Sequence, residues 1–176
     1  MYMSLMKNSS SRKPREPLSD HLSRGRHNFG QLPVLILDDG TQVSPSDAIL
    51  RWAGVQGGLY PTDARQALQV DEVLSALDDV FSLYLPTFEI ENSEECSAKQ
   101  QEISAGPLVP YLKGLEALAT RNGSNGHFVG DSVTIADIKT AGILAFLTSD
   151  FLPGVEASVL EEYPNLSQIK KAYESL

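Results

Sequence analysis

The chain has 176 residues, 41% of them apolar and 21% charged, which is enough apolar material for a buried core. Its 14 basic and 23 acidic residues leave a net charge of −9, and six of the basic groups fall in the first 28 residues, so the remainder is strongly acidic. A body of that charge repels phosphate backbones, which excludes nucleic acid as a partner, and no apolar run approaches the roughly 20 residues that a membrane-spanning helix needs.

Residues 1–28 are polar, basic and rich in serine, and they read as a disordered or irregular tail, with an organelle-targeting peptide as the other reading. "PVLIL" at 33–37 then reads as a buried strand. "DDG" reads as a hairpin turn with Gly40 at positive φ, and "TQV" as a short return strand. "SPSDAILRWAG" predicts a helix capped by Ser44, with Pro45 in its first turn and its end near Gly54. The Gly-rich link "GGLYPTD" divides this unit, residues 29–58, from an all-helical one, residues 63–176.

In the helical part, Val70, Val73, Leu74, Leu77, Val80, Phe81 and Tyr84 recur at three- and four-residue spacing and form one apolar stripe. The run "ENSEECSAKQQ" is polar, and Cys96 within it reads as a solvated surface thiol among carboxylates. As the one cysteine it allows no intrachain disulfide, in keeping with a reducing compartment. A second long helix runs around "SAGPLVPYLKGLEALATRNG" to a stop at Asn122–Gly123, with Pro107 and Pro110 near its entry or at a kink. In "DSVTIADIKTAGILAFL", Thr134 and Asp137 stand at capping-box spacing, and Val133 and Ile138 at that of a hydrophobic staple. "VEASVLEEY" and "PNLSQIKKAYESL" give two further helical segments.

Little of this carries chemistry by itself. His21, His27 and His127 are not at metal-ligand spacing and no cysteine or carboxylate cluster completes a site, so no metal is expected. No nucleophile elbow or phosphate-binding glycine loop occurs. The pair Asp78–Asp79 is ambiguous: adjacent helix positions point about 100° apart, so at most one can face squarely inward, and a solvated acidic face would also explain it.

The order of the motifs is more telling. "FGQLPVLILDDG…SPSDAILRW", "GLYPTDARQALQVDEVLSALDD", "NGHFVGDSVTIADI" and "YPNLSQI" together resemble the cytosolic glutathione S-transferases, most closely the sigma class, from about residue 29 to the C-terminus. The resemblance implies an α+β, mostly helical fold. A truncated thioredoxin-like unit, a short antiparallel hairpin plus a helix, is followed by an all-α C-terminal domain; the family's first βαβ unit and last helix have no counterpart. It implies a cytoplasmic homodimer that takes reduced glutathione as substrate. Leu32–Pro33 would be a cis peptide step that presents the Leu32 backbone to the cysteinyl part of glutathione, with Gln31 flanking the groove. Ser46 would hold the γ-glutamyl carboxylate at a helix N-terminus, where amides and dipole favour an anion. Asp79 would reach the γ-glutamyl amine across the dimer cleft. Pro45 replaces the family's glutamine. The thiol-activating tyrosine or serine belongs to the first βαβ unit, so the catalytic residue is unknown.

Two functions follow from the resemblance. One is a transferase that conjugates or isomerises small hydrophobic electrophiles with glutathione. The other is a noncatalytic interaction module of the same fold, or a truncated product.

Overall fold

A computed structural model of the chain describes Phe29 and residues 32–173; the basic tail and Gln31 lie outside the described residues. The chain divides into two compact units, one up to Ile49 and one from Leu50 onward.

In the first unit, β1 (Leu35–Ile36) pairs antiparallel with β2 (Gln42–Val43), Leu35 opposite Val43 and Ile36 opposite Gln42. The turn between them forms as the sequence predicts. Gly40 N–H donates to Leu37 O at 2.9 Å, Leu37 N–H to Thr41 O at 2.9 Å, and Gly40 takes φ 85°. A type I turn closed by a left-handed residue is the common three-residue hairpin, and glycine carries that φ without steric cost. The Asp39 carboxylate accepts Thr41 N–H at 2.8 Å, which holds its pKa below the ordinary carboxylate value. The expected buried strand is corrected: it shortens to two residues, Leu35 is half-buried, and Ile36 is 58% exposed. A two-stranded ladder covers little of either face.

Helix α1 (Ser46–Gln56) begins later than expected. Pro45 O accepts the N–H groups of Ala48 (3.1 Å) and Ile49 (3.4 Å), so Pro45 rather than Ser44 stands at the cap position. The helix also runs past Gly54. Leu59 N–H returns to Gly54 O at 2.7 Å and Gly58 N–H to Val55 O at 3.4 Å, with Gly58 at φ 70°, which is a Schellman stop. Gly54 serves another purpose: a Cβ there would lie 2.6 Å from Ile135 Cγ2, so glycine permits the close approach of the two backbones.

The second unit is built on α2 (Ala64–Tyr84), whose first amides are capped by Asp63 through Arg65 N–H (3.1 Å) and Gln66 N–H (2.9 Å). Val70, Val73, Leu74, Leu77, Val80 and Tyr84 are buried as the stripe predicts, whereas Phe81, at its edge, is 37% exposed. A 3-10 turn (Leu85–Glu89) leads to α3 (Ser93–Ala105), capped by Asn92 through Glu95 N–H at 2.9 Å. Sequence periodicity misses this helix because its inward face is partly polar. Gln100 is buried, donating to Thr87 Oγ1 (3.4 Å) and Cys96 Sγ (3.3 Å) and accepting Gly154 N–H (2.9 Å). Cys96 is thus not a solvated thiol; it is half-buried and donates to Thr87 O at 3.3 Å. Gly154 sits so close to α3 that a Cβ would overlap the Ser97 carbonyl and lie 2.7 Å from Gln100 Cβ.

Helix α4 (Leu108–Arg121) starts directly after Pro107, with Pro110 in its first turn, where a missing N–H costs no intrahelical bond. It ends as expected: Gly123 takes φ 94°, Gly123 N–H donates to Thr120 O (2.9 Å) and Ser124 N–H to Ala119 O (3.1 Å). The capping box also forms at α5 (Ile135–Leu147). Asp137, fully buried, accepts Thr134 N–H at 2.7 Å and the Thr134 hydroxyl at 3.1 Å on Oδ2, and Phe128 N–H at 2.9 Å on Oδ1. "VEASVLEEY" gives only a 3-10 turn (Ala157–Leu160), and α6 (Pro164–Tyr173) closes the described chain. Helix α5 packs on α2 and α6, and α4 packs on both of those. Among the described residues no helix is long and apolar enough to cross a membrane.

Two outcomes test this packing. Gly154→Ala should lower the unfolding free energy in urea by about 2 kcal/mol or more, since backbone and not a mobile side chain meets the added methyl. Tyr84 supplies the other: burial raises its phenol pKa above the ordinary 10.0, against a lowering hydrogen bond with Ser104. Folding therefore favours the neutral phenol. That contribution is complete below pH 10 and is lost as pH rises through the folded-state value. Unfolding measured across this range should show stability falling above pH 10, with a shallower fall in Tyr84→Phe.

Candidate functional site

The residues that the resemblance singles out fall in both units. Leu32, Pro33 and Ser46 belong to the first and Asp79 to the second; Gln31 lies outside the described residues. The Leu32–Pro33 peptide bond is cis, as is Ser44–Pro45. Leu32 is 51% exposed, and Pro33 and Ser46 are also exposed. The hairpin register explains how they stand. Pro33 precedes β1 by two residues and Ser46 follows β2 by three, so the antiparallel ladder brings both to its open end, away from the Gly40 turn. There Ser46 opens α1, whose first amides lie ahead of any intrahelical acceptor. A hydroxyl and helix N-terminal amides beside a strand-like backbone can pair with a carboxylate and a peptide group.

The two aspartates of α2 separate in role, and neither is buried. Asp78 holds Lys139 of α5, Oδ1 to Nζ 2.6 Å, and Lys139 also reaches Leu74 O at 3.4 Å. Asp79 is exposed on the neighbouring flank. The solvated reading therefore fits Asp79's surroundings, while Asp78 clamps α2 to α5.

Sequence reasoning missed two groupings. Arg51 Nε and the Tyr60 hydroxyl both meet Asp71, at 2.8 and 3.1 Å. This half-buried cluster ties the middle of α1 and the following link to α2, and burial together with the Asp71 hydrogen bond raises the Tyr60 pKa. Arg51 and Asp71 carry no motif signal, being 20 residues apart. The second is an aromatic group: Phe81 and Phe146 have ring centroids 5.5 Å apart and Phe88 and Phe146 6.3 Å, both pairs tilted. Phe88 is 49% exposed and Leu85, three residues before it, 46%, so the group borders apolar surface, while Phe146 packs against the core. The stripe on α2 pointed to Phe81, but nothing in the sequence links it to Phe88 or Phe146. Among the described residues no group of histidine, cysteine and carboxylate side chains could hold a metal ion.

Comparison with known proteins agrees with this architecture. A family model for the glutathione S-transferase C-terminal domain matches residues 78–176, more than half of the chain. A glutathione S-transferase of Anopheles gambiae is 33% identical over 142 residues, covering 80% of this chain and 66% of that protein. Glutathione S-transferase 1 of Ascaris suum is 32% identical over 151 residues, covering 81% and 72%. The chain thus spans about two thirds of the length of the first of these relatives. Among solved structures, the glutathione S-transferase from Ascaris lumbricoides superposes with a TM-score of 0.71 at 25% identity, over 93% of this chain and 78% of that one. With its helical domain matched in sequence and its fold matched in space, the chain belongs to the glutathione S-transferase family.

Proposed function

We propose that this chain binds reduced glutathione as substrate at the open end of the hairpin and presents its thiol to a small hydrophobic electrophile, for conjugation or isomerisation. The observation that carries the reading is the shared placement of exposed Leu32 and Pro33 with Ser46, at the ladder end where α1 begins. The Leu32 backbone would pair with the cysteinyl peptide, and the Ser46 hydroxyl with the first-turn amides would take the γ-glutamyl carboxylate. Gln31 would flank this groove, and Asp79 would meet the γ-glutamyl amine of the glutathione held by a second copy in a homodimer. A cytoplasmic setting, where glutathione is kept reduced, accords with a free half-buried Cys96.

A second reading, binding without turnover, has its own support. Pro45 occupies the position of the resembled family's glutamine and donates no backbone hydrogen bond there. The described tyrosines whose phenol pKa is displaced, Tyr60, Tyr84, Tyr163 and Tyr173, are all displaced upward by burial, which suits packing better than thiol activation.

Calorimetry with millimolar reduced glutathione, followed by a thiol-conjugation assay with a generic electrophile, separates these readings. Binding with turnover is expected. Binding without turnover would favour the second reading, and no binding would remove the transferase reading and leave a noncatalytic interaction module of the same fold. Ser46→Ala should weaken glutathione roughly tenfold or more, the loss of one hydrogen bond to a charged group, with unchanged unfolding in urea.

A further inference from the structure

The loop between α4 and α5 contains the sequence's two Asn–Gly steps, Asn122–Gly123 and Asn125–Gly126. The fold treats them differently. At the first, Gly123 N–H is engaged in the α4 stop, donating to Thr120 O at 2.9 Å. The Asn122 side chain is the clasp of the loop: its Nδ2 donates to Asn125 Oδ1 (3.2 Å), His127 O (3.0 Å) and Gly130 O (2.7 Å), and its Oδ1 accepts Gly130 N–H (3.1 Å). At the second step, Gly126 N–H donates no hydrogen bond among the described residues. Asn125 is exposed, and its Oδ1 accepts two donors, His127 N–H (3.1 Å) and Asn122 Nδ2 (3.2 Å).

We propose that Asn125 is a site of spontaneous deamidation in the folded protein, and that Asn122 is protected. The Gly126 amide gives its proton to solvent base, and its nitrogen attacks Asn125 Cγ, unhindered because glycine carries no side chain. Negative charge gathers on Oδ1, where the two donors already point, as in any site that stabilises an oxyanion with fixed N–H groups. The Cγ–Nδ2 bond then breaks, Nδ2 takes a proton from water, and ammonia leaves. Water opens the resulting succinimide to aspartate or isoaspartate. No oxidant or reductant is involved. At Asn122 the same attack would first require Gly123 N–H to leave Thr120 O.

The product has a structural consequence. Asn125 Nδ2 donates to Gly130 O at 2.8 Å, and a carboxylate oxygen in its place would repel that carbonyl. The bond from Asn125 Oδ1 to His127 N–H sits one residue before Phe128, whose N–H caps Asp137. Modification therefore loosens the clasp that leads into the α5 cap, giving the helical unit an age-dependent change.

The test is peptide mapping by mass spectrometry after incubation of the full chain in mildly alkaline buffer, once folded and once in urea. In the folded protein about tenfold more acid is expected at 125 than at 122, a ratio that one engaged hydrogen bond and the donors on Oδ1 can supply. In urea the two sites should convert at similar rates. Equal conversion in the folded chain, excess conversion at 122, or no conversion at 125 would each overturn the proposal. The variant Asn125→Asp should unfold at lower urea than the unmodified chain; an unchanged midpoint would overturn the structural consequence.

Discussion

The helical unit depends on a buried anion. Asp137 lies fully inside, at the point where the loop from α4 turns into α5, and burying a charge is costly unless donors replace its water. Here three donors do so, from Thr134 N–H, the Thr134 hydroxyl and Phe128 N–H, and the positive end of the α5 dipole adds to them. The arrangement fixes α5 and the preceding loop in one step. A further α5 amide, Ile135 N–H, is taken by Leu59 O at 3.0 Å, which anchors the link after α1 to the same helix end. Ile135, Ala136, Leu144 and Leu147 are then presented to the core shared by α2, α4 and α6.

The core and the proposed glutathione site fall in different parts of this chain. The core residues belong to the helical unit, whereas Leu32, Pro33 and Ser46 lie on an exposed hairpin whose ladder is two residues long. Ladders that short are marginal by themselves. What the hairpin offers a peptide ligand is geometry: an open strand end beside a helix N-terminus. Family membership rests on the helical unit, and the chemistry rests on whether that hairpin end still holds glutathione.

The features legible in the sequence were those written in local spacing. Thr134 and Asp137 three apart, Asn122–Gly123 after the last apolar residue of α4, and "DDG" between two apolar runs each describe backbone geometry that needs no distant partner. The α2 stripe was legible for the same reason. Failures came where distant partners decide. Helix α3 hides in a polar run because its inward contacts are made by Gln100 and Cys96 to Thr87 and Gly154. Gly54 looked like a stop because its close contact, Ile135, lies 81 positions away in the chain. Ile36 looked buried because an apolar run does not say how many strands will join it. For the candidate site, the exposure of Leu32 and Ser46 and their common end of the hairpin required the register. In the helical unit, the aromatic group of Phe81, Phe88 and Phe146 required the packing of α5 beside α2.

Native-state amide hydrogen exchange at Phe128 and Thr134 tests the role of Asp137 most directly. If their N–H groups are held by the buried carboxylate on which the unit depends, both should exchange only through global unfolding, with the same free energy as the slowest amides of α2 and α5. Exchange of either amide by a local opening much cheaper than global unfolding would contradict the account, for it would mean that the loop and the helix cap come apart while the core stays folded.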